Sequence, residues 1–311
     1  MKEEILGLHH ITAIAGNAQR NYDFYTKVLG LRLVKKTVNF DDPGTYHFYY
    51  GNEEGAPGTI LTFFPWENIG QGNIGTGMAT EIGYSVPQGS LDFWEDRFKQ
   101  FAVSYSPRAE KFGEIFLPFK DPDGLMINLI VPNIVDERKP WETADIKIES
   151  ATKGFHNVTL MLNKKDRTEK ILIDIFGYKF VSQEGNRFRY QTDAVKNASI
   201  IDIIESPEGK RGNNAGGTNH HVAFRVADEN VQMAFREKLV KNYLQVTPKI
   251  NRDYFYSIYF REPGGVLFEI ATDNPGFAVD EPLADLGMQL QLPVQYEAAR
   301  HDIEKILPVL K

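Results

Sequence analysis

The sequence of 311 residues contains no cysteine and only seven histidines. Without cysteine the chain has no disulfide bond, no thiolate metal ligand and no thiol nucleophile, which favours a reducing compartment. Any metal or acid–base chemistry must therefore rest on a few imidazoles together with carboxylate, tyrosine and arginine side chains.

An excess of positive charge is also missing, because 35 Lys and Arg stand against 42 Asp and Glu, for a net charge of −7. With no long basic run, the composition excludes a typical nucleic-acid-binding protein. Apolar runs stay far below the roughly 18 residues of a membrane span. The acidic start, residues 1–7, breaks too early for a signal peptide. We therefore expect a soluble, cytoplasmic protein without nucleic-acid or membrane partners.

What the chain does contain is a fourfold pattern of one strand, one helix and three strands. The spacing recurs, since Gly30 lies 20 residues after His10 and Gly177 lies 20 residues after Asn157. The pattern predicts an α+β fold of four βαβββ units. These are unit 1 (residues 1–64), unit 2 (79–131), unit 3 (154–205) and unit 4 (219–272), with a linker at 132–153 and a tail at 273–311 that carries a predicted helix over 297–307.

A glycine-rich segment, Gly70 to Gly75, matches the GxGxxG pattern of dinucleotide-binding proteins. That motif requires a helix directly after it. Here an alternating, strand-like stretch over 81–86 follows instead, so we interpret the segment as a flexible connector.

The period of two along each strand separates an apolar face from a polar one. The polar face of the opening strands carries, in chain order, His10, Glu81, Asn157 and His221. The matching positions of the closing strands are Thr62, Asn128, Asp202 and Glu269. Only units 1 and 4 supply imidazoles, and two histidines with one carboxylate form a triad that leaves open positions on a divalent metal, as is typical of Fe(II) oxygen chemistry.

This hypothesis requires units 1 and 4 to face each other, with units 2 and 3 forming a companion domain. His9 and His220 are predicted to lie on the opposite, apolar face of their strands, which favours a packing or supporting role for them. His47, His156 and His301 are interpreted as structural. As an alternative cation site without histidine, the polar residues of units 2 and 3 could bind a hard, oxygen-preferring ion.

The motifs resemble those of the vicinal oxygen chelate superfamily and, within it, the hydroquinone-type ring-cleaving dioxygenases. The resemblance spans nearly the whole chain. It is carried by residues 7–12, 24–31, 219–224, 251–255 with Tyr259, and 263–269.

The resemblance implies two open-barrel domains, each built from two of the units. It implies that His10, His221 and Glu269 bind Fe(II), or Mn(II), which such a ligand set also accepts. It places Thr12, His9, His220, Arg252 and Tyr259 around an aromatic diol. The expected reaction is cleavage of a hydroquinone or catechol ring with both atoms of O2, in aromatic degradation or quinone detoxification, by a homo-oligomer.

Two alternatives stay open from the sequence. A glyoxalase-like lyase or isomerase would use a fourth, carboxylate ligand from the first unit, where this chain has Thr62. A non-catalytic resistance protein that sequesters aromatic compounds would not need the intact triad.

Overall fold

The computed structural model describes residues 2–311, and its strands form two eight-stranded sheets. Unit 1 consists of β1 (Leu8–Ala15), α1 (Ala18–Asp23), β2 (Arg32–Asn39), β3 (Asp42–Gly51) and β4 (Ile60–Pro65). Unit 2 consists of β5 (Met78–Ser85), α2 (Leu91–Gln100), β6 (Ala109–Lys111), β7 (Glu114–Lys120) and β8 (Met126–Ile130).

The second half repeats this order. Unit 3 consists of β9 (Gly154–Leu162), α3 (Asp166–Lys170), β10 (Lys179–Glu184), β11 (Arg187–Gln191) and β12 (Ile200–Glu205). Unit 4 consists of β13 (Thr218–Val226), α4 (Glu229–Lys241), β14 (Ile250–Asn251), β15 (Phe255–Arg261) and β16 (Leu267–Pro275). Both α1 and α3 continue as one π-helical turn, over Phe24–Val28 and Ile171–Ile175 respectively.

The sheets combine units that are distant in sequence. One sheet has the order β14-β15-β16-β13-β1-β4-β3-β2, so it joins units 4 and 1, and the other has the order β10-β11-β12-β9-β5-β8-β7-β6, which joins units 3 and 2. The opening strands pair antiparallel, β1 with β13 and β5 with β9, while each closing strand runs parallel to its own opening strand. The predicted α+β fold of four βαβββ units in two open barrels is confirmed.

One face of each opening strand packs into the core, as the alternation requires. Ile11, Val158, Val222 and Phe224 are fully buried in the main apolar cluster. Among the described residues no helix is both long and apolar enough to cross a membrane.

Each opening strand also contains one extra residue that the alternation did not predict. In the register of β1 with β13 the extra residues are His9 and His220, and in that of β5 with β9 they are Thr80 and His156. Each lies directly before the residue that begins the polar face. A β-bulge of this kind bends the strand locally and re-aims its side chains, which brings both members of each His-His pair toward the same region.

The predicted boundary at 272/273 falls inside β16, and the tail that follows Pro275 packs against unit 1. The helix predicted over 297–307 begins later, because residues Val294–Ala299 form a 3-10 helix and α5 covers Arg300–Ile306. Tyr296 donates a hydrogen bond from its hydroxyl to the Phe40 carbonyl, and the fully buried Lys35 pairs with both Asp280 and Glu281. His301 is exposed on α5.

Candidate metal centre

His10, His221 and Glu269 lie together on three adjacent strands, β1, β13 and β16. The two imidazole Nε2 atoms are 3.3 Å apart, and Glu269 Oε2 lies 3.2 Å from His10 Nε2 and 2.9 Å from His221 Nε2. All three side chains are buried, and among residues 2–311 they form the only cluster of three metal-ligating side chains.

The spacing of these three atoms fits a single metal ion. Ligand atoms at about 2.1 Å from an ion and at right angles to one another would be about 3.0 Å apart. Glu269 Oε2 receives no hydrogen bond of good geometry from the described residues, whereas Oε1 accepts one from Ser257. A buried carboxylate oxygen that lacks a donor and faces two imidazole nitrogens is suited to a cation.

The protonation states suit ligation as well. Burial alone would raise the pKa of Glu269, but its interactions with His10 and His221 outweigh burial and hold that pKa well below its usual range. Burial lowers the pKa of His221, although its hydrogen bond with Glu269 opposes this.

His9 and His220 each contact one of the two histidines of the candidate metal centre. In each pair the Nδ1 atoms are 2.8 Å apart, His9 to His10 and His220 to His221. When Nε2 of His10 or His221 binds a metal, its ring hydrogen lies on Nδ1, so that His9 and His220 must accept with Nδ1. Burial favours these neutral acceptors, because it lowers the pKa of His9 well below the usual range and that of His220 to about 3.

A cavity of about 400 Å³ opens beside the cluster. Of the supporting residues inferred from the resemblance, Thr12, His220, Arg252 and Tyr259 line it. His9 is absent from that lining and instead packs against the ring of Phe255, with 5.1 Å between the ring centroids. Four of the five residues therefore face the cavity, and the fifth, His9, instead contacts the candidate ligand His10.

Arg252 and Tyr259 form a pair of hydrogen-bond donors in this cavity. The Arg252 Nε atom lies 3.3 Å from the Tyr259 hydroxyl, and its guanidinium lies 5.3 Å from the centre of the Phe40 ring. Burial raises the pKa of Tyr259, and Tyr259 with Glu269 raises the pKa of Arg252 although burial opposes it. At neutral pH the cavity thus contains a cationic guanidinium and a protonated phenol.

Sequence reasoning missed His47, which it interpreted as structural. The structure places His47 and Tyr49 in the cavity wall, both on β3. The alternation along β3 indicates that residues 47 and 49 lie on the same face of the strand. The sequence does not show, however, that β3 pairs with β4, and this pairing places both residues in the cavity wall. The rest of the wall is aromatic and includes Phe40, Phe64, Trp66 and Phe255.

Comparisons with known proteins identify the family of the chain. The model of the Glyoxalase/Bleomycin resistance protein/Dioxygenase superfamily matches residues 7–129. The chain is 47% identical over 309 residues to the "Putative ring-cleaving dioxygenase MhqO" of Bacillus subtilis (strain 168), covering 99% of this chain and 98% of that protein. It is 35% identical over 309 residues to the chlorohydroquinone/hydroquinone 1,2-dioxygenase of Sphingobium indicum, covering 97% and 96% of the two chains. The chain belongs to the ring-cleaving dioxygenases of this superfamily.

Solved structures support the same assignment. A crystal structure of a "putative dioxygenase" from Bacillus subtilis subsp. subtilis str. 168 superimposes with a TM-score of 0.95 at 45% identity, covering 100% of this dioxygenase and 99% of that chain. Glyoxalase I from Zea mays gives a TM-score of 0.61 at 15% identity over 86% of this chain and 92% of that one, which shows a shared fold alone.

The equivalent positions in the other sheet of this dioxygenase do not form the alternative cation site. Glu81 is paired with Arg187 at 2.9 Å and with Lys111 at 3.4 Å, while Asp202 accepts two hydrogen bonds from Arg189 at 2.9 and 3.0 Å. Protein cations therefore neutralise both carboxylates. The sequence did not show these ion pairs, because it does not place Arg187 and Arg189 beside the two carboxylates.

Proposed function

We propose that this chain is an Fe(II)-dependent dioxygenase that cleaves the ring of hydroquinones or catechols in aromatic degradation or quinone detoxification. The observation that carries the proposal is the buried cluster of two histidines and one glutamate at the wall of a cavity of about 400 Å³. Three protein ligands leave open positions on a divalent metal for a substrate and O2.

His10, His221 and Glu269 would hold the metal, and the metal when bound would supply Lewis acidity toward a ring hydroxyl and the redox chemistry that O2 requires. The protein contributes positions and charges. Arg252 provides a cationic donor for a phenolate oxygen, and the hydroxyl of Tyr259 adds a second donor. The Nε2 atom of His220 carries the remaining ring hydrogen, so this residue is also a donor in the cavity wall.

The shape and polarity of the cavity suit an aromatic ring. Its aromatic wall offers edges and faces that pack well on a flat ring. A cavity lined by both hydrogen-bond donors and aromatic side chains fits a diol whose oxygens become negatively charged during the reaction.

The glyoxalase-like alternative lacks its fourth ligand here. The Thr62 hydroxyl is hydrogen-bonded to Thr12 at 2.8 Å and to His47 at 3.0 Å. Among the described residues no further carboxylate joins the cluster. We therefore favour the dioxygenase over a lyase that leaves the oxidation level unchanged.

The test is O2 uptake by protein reconstituted anaerobically with Fe(II), using methylhydroquinone and catechol. We expect uptake with a hydroquinone or catechol and ring-opened products that contain both oxygen atoms of ¹⁸O2. Reconstitution with Mn(II) in parallel identifies the preferred metal. No uptake across a panel of such diols would contradict the proposal, and turnover of a thiol hemiacetal would favour the lyase.

Two further expectations accompany this function. The homo-oligomer implied by the resemblance is measured by light scattering of the purified protein. The cytoplasmic location inferred from the sequence stays a prediction, which fractionation of cells that express the chain would test.

A further inference from the structure

Four side chains form a continuous line of hydrogen bonds beside the candidate metal centre. The Tyr49 hydroxyl lies 2.9 Å from His47 Nδ1, His47 Nε2 lies 3.0 Å from Thr62 Oγ1, and Thr62 Oγ1 lies 2.8 Å from Thr12 Oγ1. The residues come from three adjacent strands, β3, β4 and β1, and all four are buried.

The direction of this line follows from counting donors and acceptors. Among the described residues, the Tyr49 hydroxyl has His47 Nδ1 as its only hydrogen-bond partner, and Tyr49 is 1% exposed. Its hydrogen is donated to Nδ1, because a phenol is a strong hydrogen-bond donor and a neutral imidazole nitrogen is a strong acceptor. His47 Nδ1 therefore carries a lone pair, and the ring hydrogen of His47 lies on Nε2.

The remaining bonds then have one direction each. His47 Nε2–H donates to the Thr62 oxygen, and Thr62 uses its single hydroxyl hydrogen toward Thr12. In the reverse direction His47 would donate from Nδ1 to Tyr49, and the phenolic hydrogen would have no acceptor in the described part of the chain. The forward direction instead leaves the Thr12 hydroxyl hydrogen without a protein acceptor. It is favoured because the phenolic hydroxyl is more acidic than an aliphatic one and is therefore the stronger donor to an imidazole nitrogen.

Thr12 is left with a hydroxyl hydrogen that no protein acceptor receives. Thr12 lines the cavity together with His10 and His221, so its hydrogen is available to a molecule bound there. We propose that the Tyr49–His47–Thr62 line orients the Thr12 hydroxyl as a donor and thereby selects ligands that present an acceptor oxygen, such as a phenolate, at this position. His47 is in this view a positioning residue that acts through Thr62 and Thr12.

This inference rests on the proposed function only for the class of ligand, an aromatic diol. The direction of the line is a property of the protein alone, so it can be tested without turnover.

The first experiment determines the tautomer of His47 by long-range ¹H–¹⁵N NMR on metal-free protein labelled with ¹⁵N-histidine. We expect hydrogen on Nε2 in the wild type, and a mixture of tautomers in Tyr49→Phe, which removes the donor to Nδ1. A wild-type ring with hydrogen on Nδ1, or a doubly protonated ring at neutral pH, would overturn the proposal.

The second experiment measures the affinity of 4-nitrocatechol for protein loaded with Zn(II), which binds without reacting with O2. Thr62→Val should weaken binding about tenfold, the loss of one hydrogen bond of about 1.4 kcal/mol, whereas Thr62→Ser should bind as the wild type does. His47→Phe should weaken binding similarly, and His47→Gln should retain it, because its amide can accept from Tyr49 and donate to Thr62.

These outcomes separate the two proposals. Equal affinity of Thr62→Val and the wild type, or no binding by the wild type, would refute the role of the line. Expected NMR and binding results combined with no O2 uptake would leave this inference intact and contradict the dioxygenase.

Discussion

The Nε2 atoms of His10 and His221 lie 3.3 Å apart, although 211 residues separate the two histidines in the chain. They meet because β1 and β13 pair antiparallel, with Thr12 opposite His221 in the register. The Nε2 atoms of both rings face each other and the Glu269 carboxylate. A divalent cation shared by the three groups would stabilise this arrangement.

Glu269→Gln should lose metal, because it removes the negative charge and leaves only a neutral amide oxygen, a weaker ligand, while the shape stays nearly unchanged. Asp202→Asn is the matched control at the equivalent position of the other sheet. Asp202 is paired with Arg189, so this change should lower stability but spare the metal. Metal content after anaerobic Fe(II) loading and desalting measures both, and equal loss from the two variants would mean that the wrong pair of units was assigned.

Arg252→Gln should lower kcat/KM for a diol by about tenfold to a hundredfold, since a charge-assisted hydrogen bond contributes about 1.5–3 kcal/mol. Its control is Arg261→Gln, an exposed arginine nearby on β15 that donates to the Gly265 carbonyl and does not line the cavity. Steady-state O2 uptake checks both. If Arg261→Gln alone were impaired, the substrate would have to bind elsewhere.

Lys35→Ala should destabilise the protein by about 3 kcal/mol, because it leaves the carboxylates of Asp280 and Glu281 without their buried cation. The neighbouring Lys36 is only partly buried and donates to the Met288 carbonyl. Lys36→Ala should therefore cost less than 1 kcal/mol. Urea unfolding measures both values, and similar losses would show that the buried ion pairs do not hold the tail.

Asp121→Asn should change how stability depends on pH. Burial raises the pKa of Asp121 from an ordinary 3.8 to about 7, with the charge of Asp123 adding to the effect while hydrogen bonds from Leu125, Tyr25 and Asp123 oppose it. Because the folded state holds the proton more tightly, this contribution to stability is complete below about pH 4 and is lost as pH rises toward 7.

The variant lacks this proton, so the difference in unfolding free energy between wild type and variant should shift in favour of the variant from pH 4 to pH 7. Denaturant titrations at several pH values measure it. Asp145→Asn, at an exposed position, is the control and should show no such trend. A constant difference for Asp121→Asn would contradict the raised pKa.

Much of the fold was accessible from the sequence, because each unit is defined by local periodicity and a repeated spacing. Alternation of apolar and polar residues put His10, His221 and Glu269 on one face of their strands, and the structure brings these three side chains together. Their role as metal ligands stays a prediction that the Glu269→Gln experiment tests.

The β-bulges at His9 and His220 could not be predicted from the sequence. A bulge is defined by the register with the partner strand, and the alternation of apolar and polar residues along one strand does not reveal it. The same holds for two contacts between neighbouring strands. The pairing of β11 with β12 places Arg189 beside Asp202, and the pairing of β3 with β4 places His47 within hydrogen-bond distance of Thr62.

The sequence by itself determined which side chains each strand turns away from the core, because that depends only on the pleat of one strand and the burial of its apolar face. Only the tertiary structure decided which polar faces meet. Pairing across 211 residues depends on how whole units pack, and so the same kind of face became a candidate metal centre in one sheet and an ion-pair network in the other.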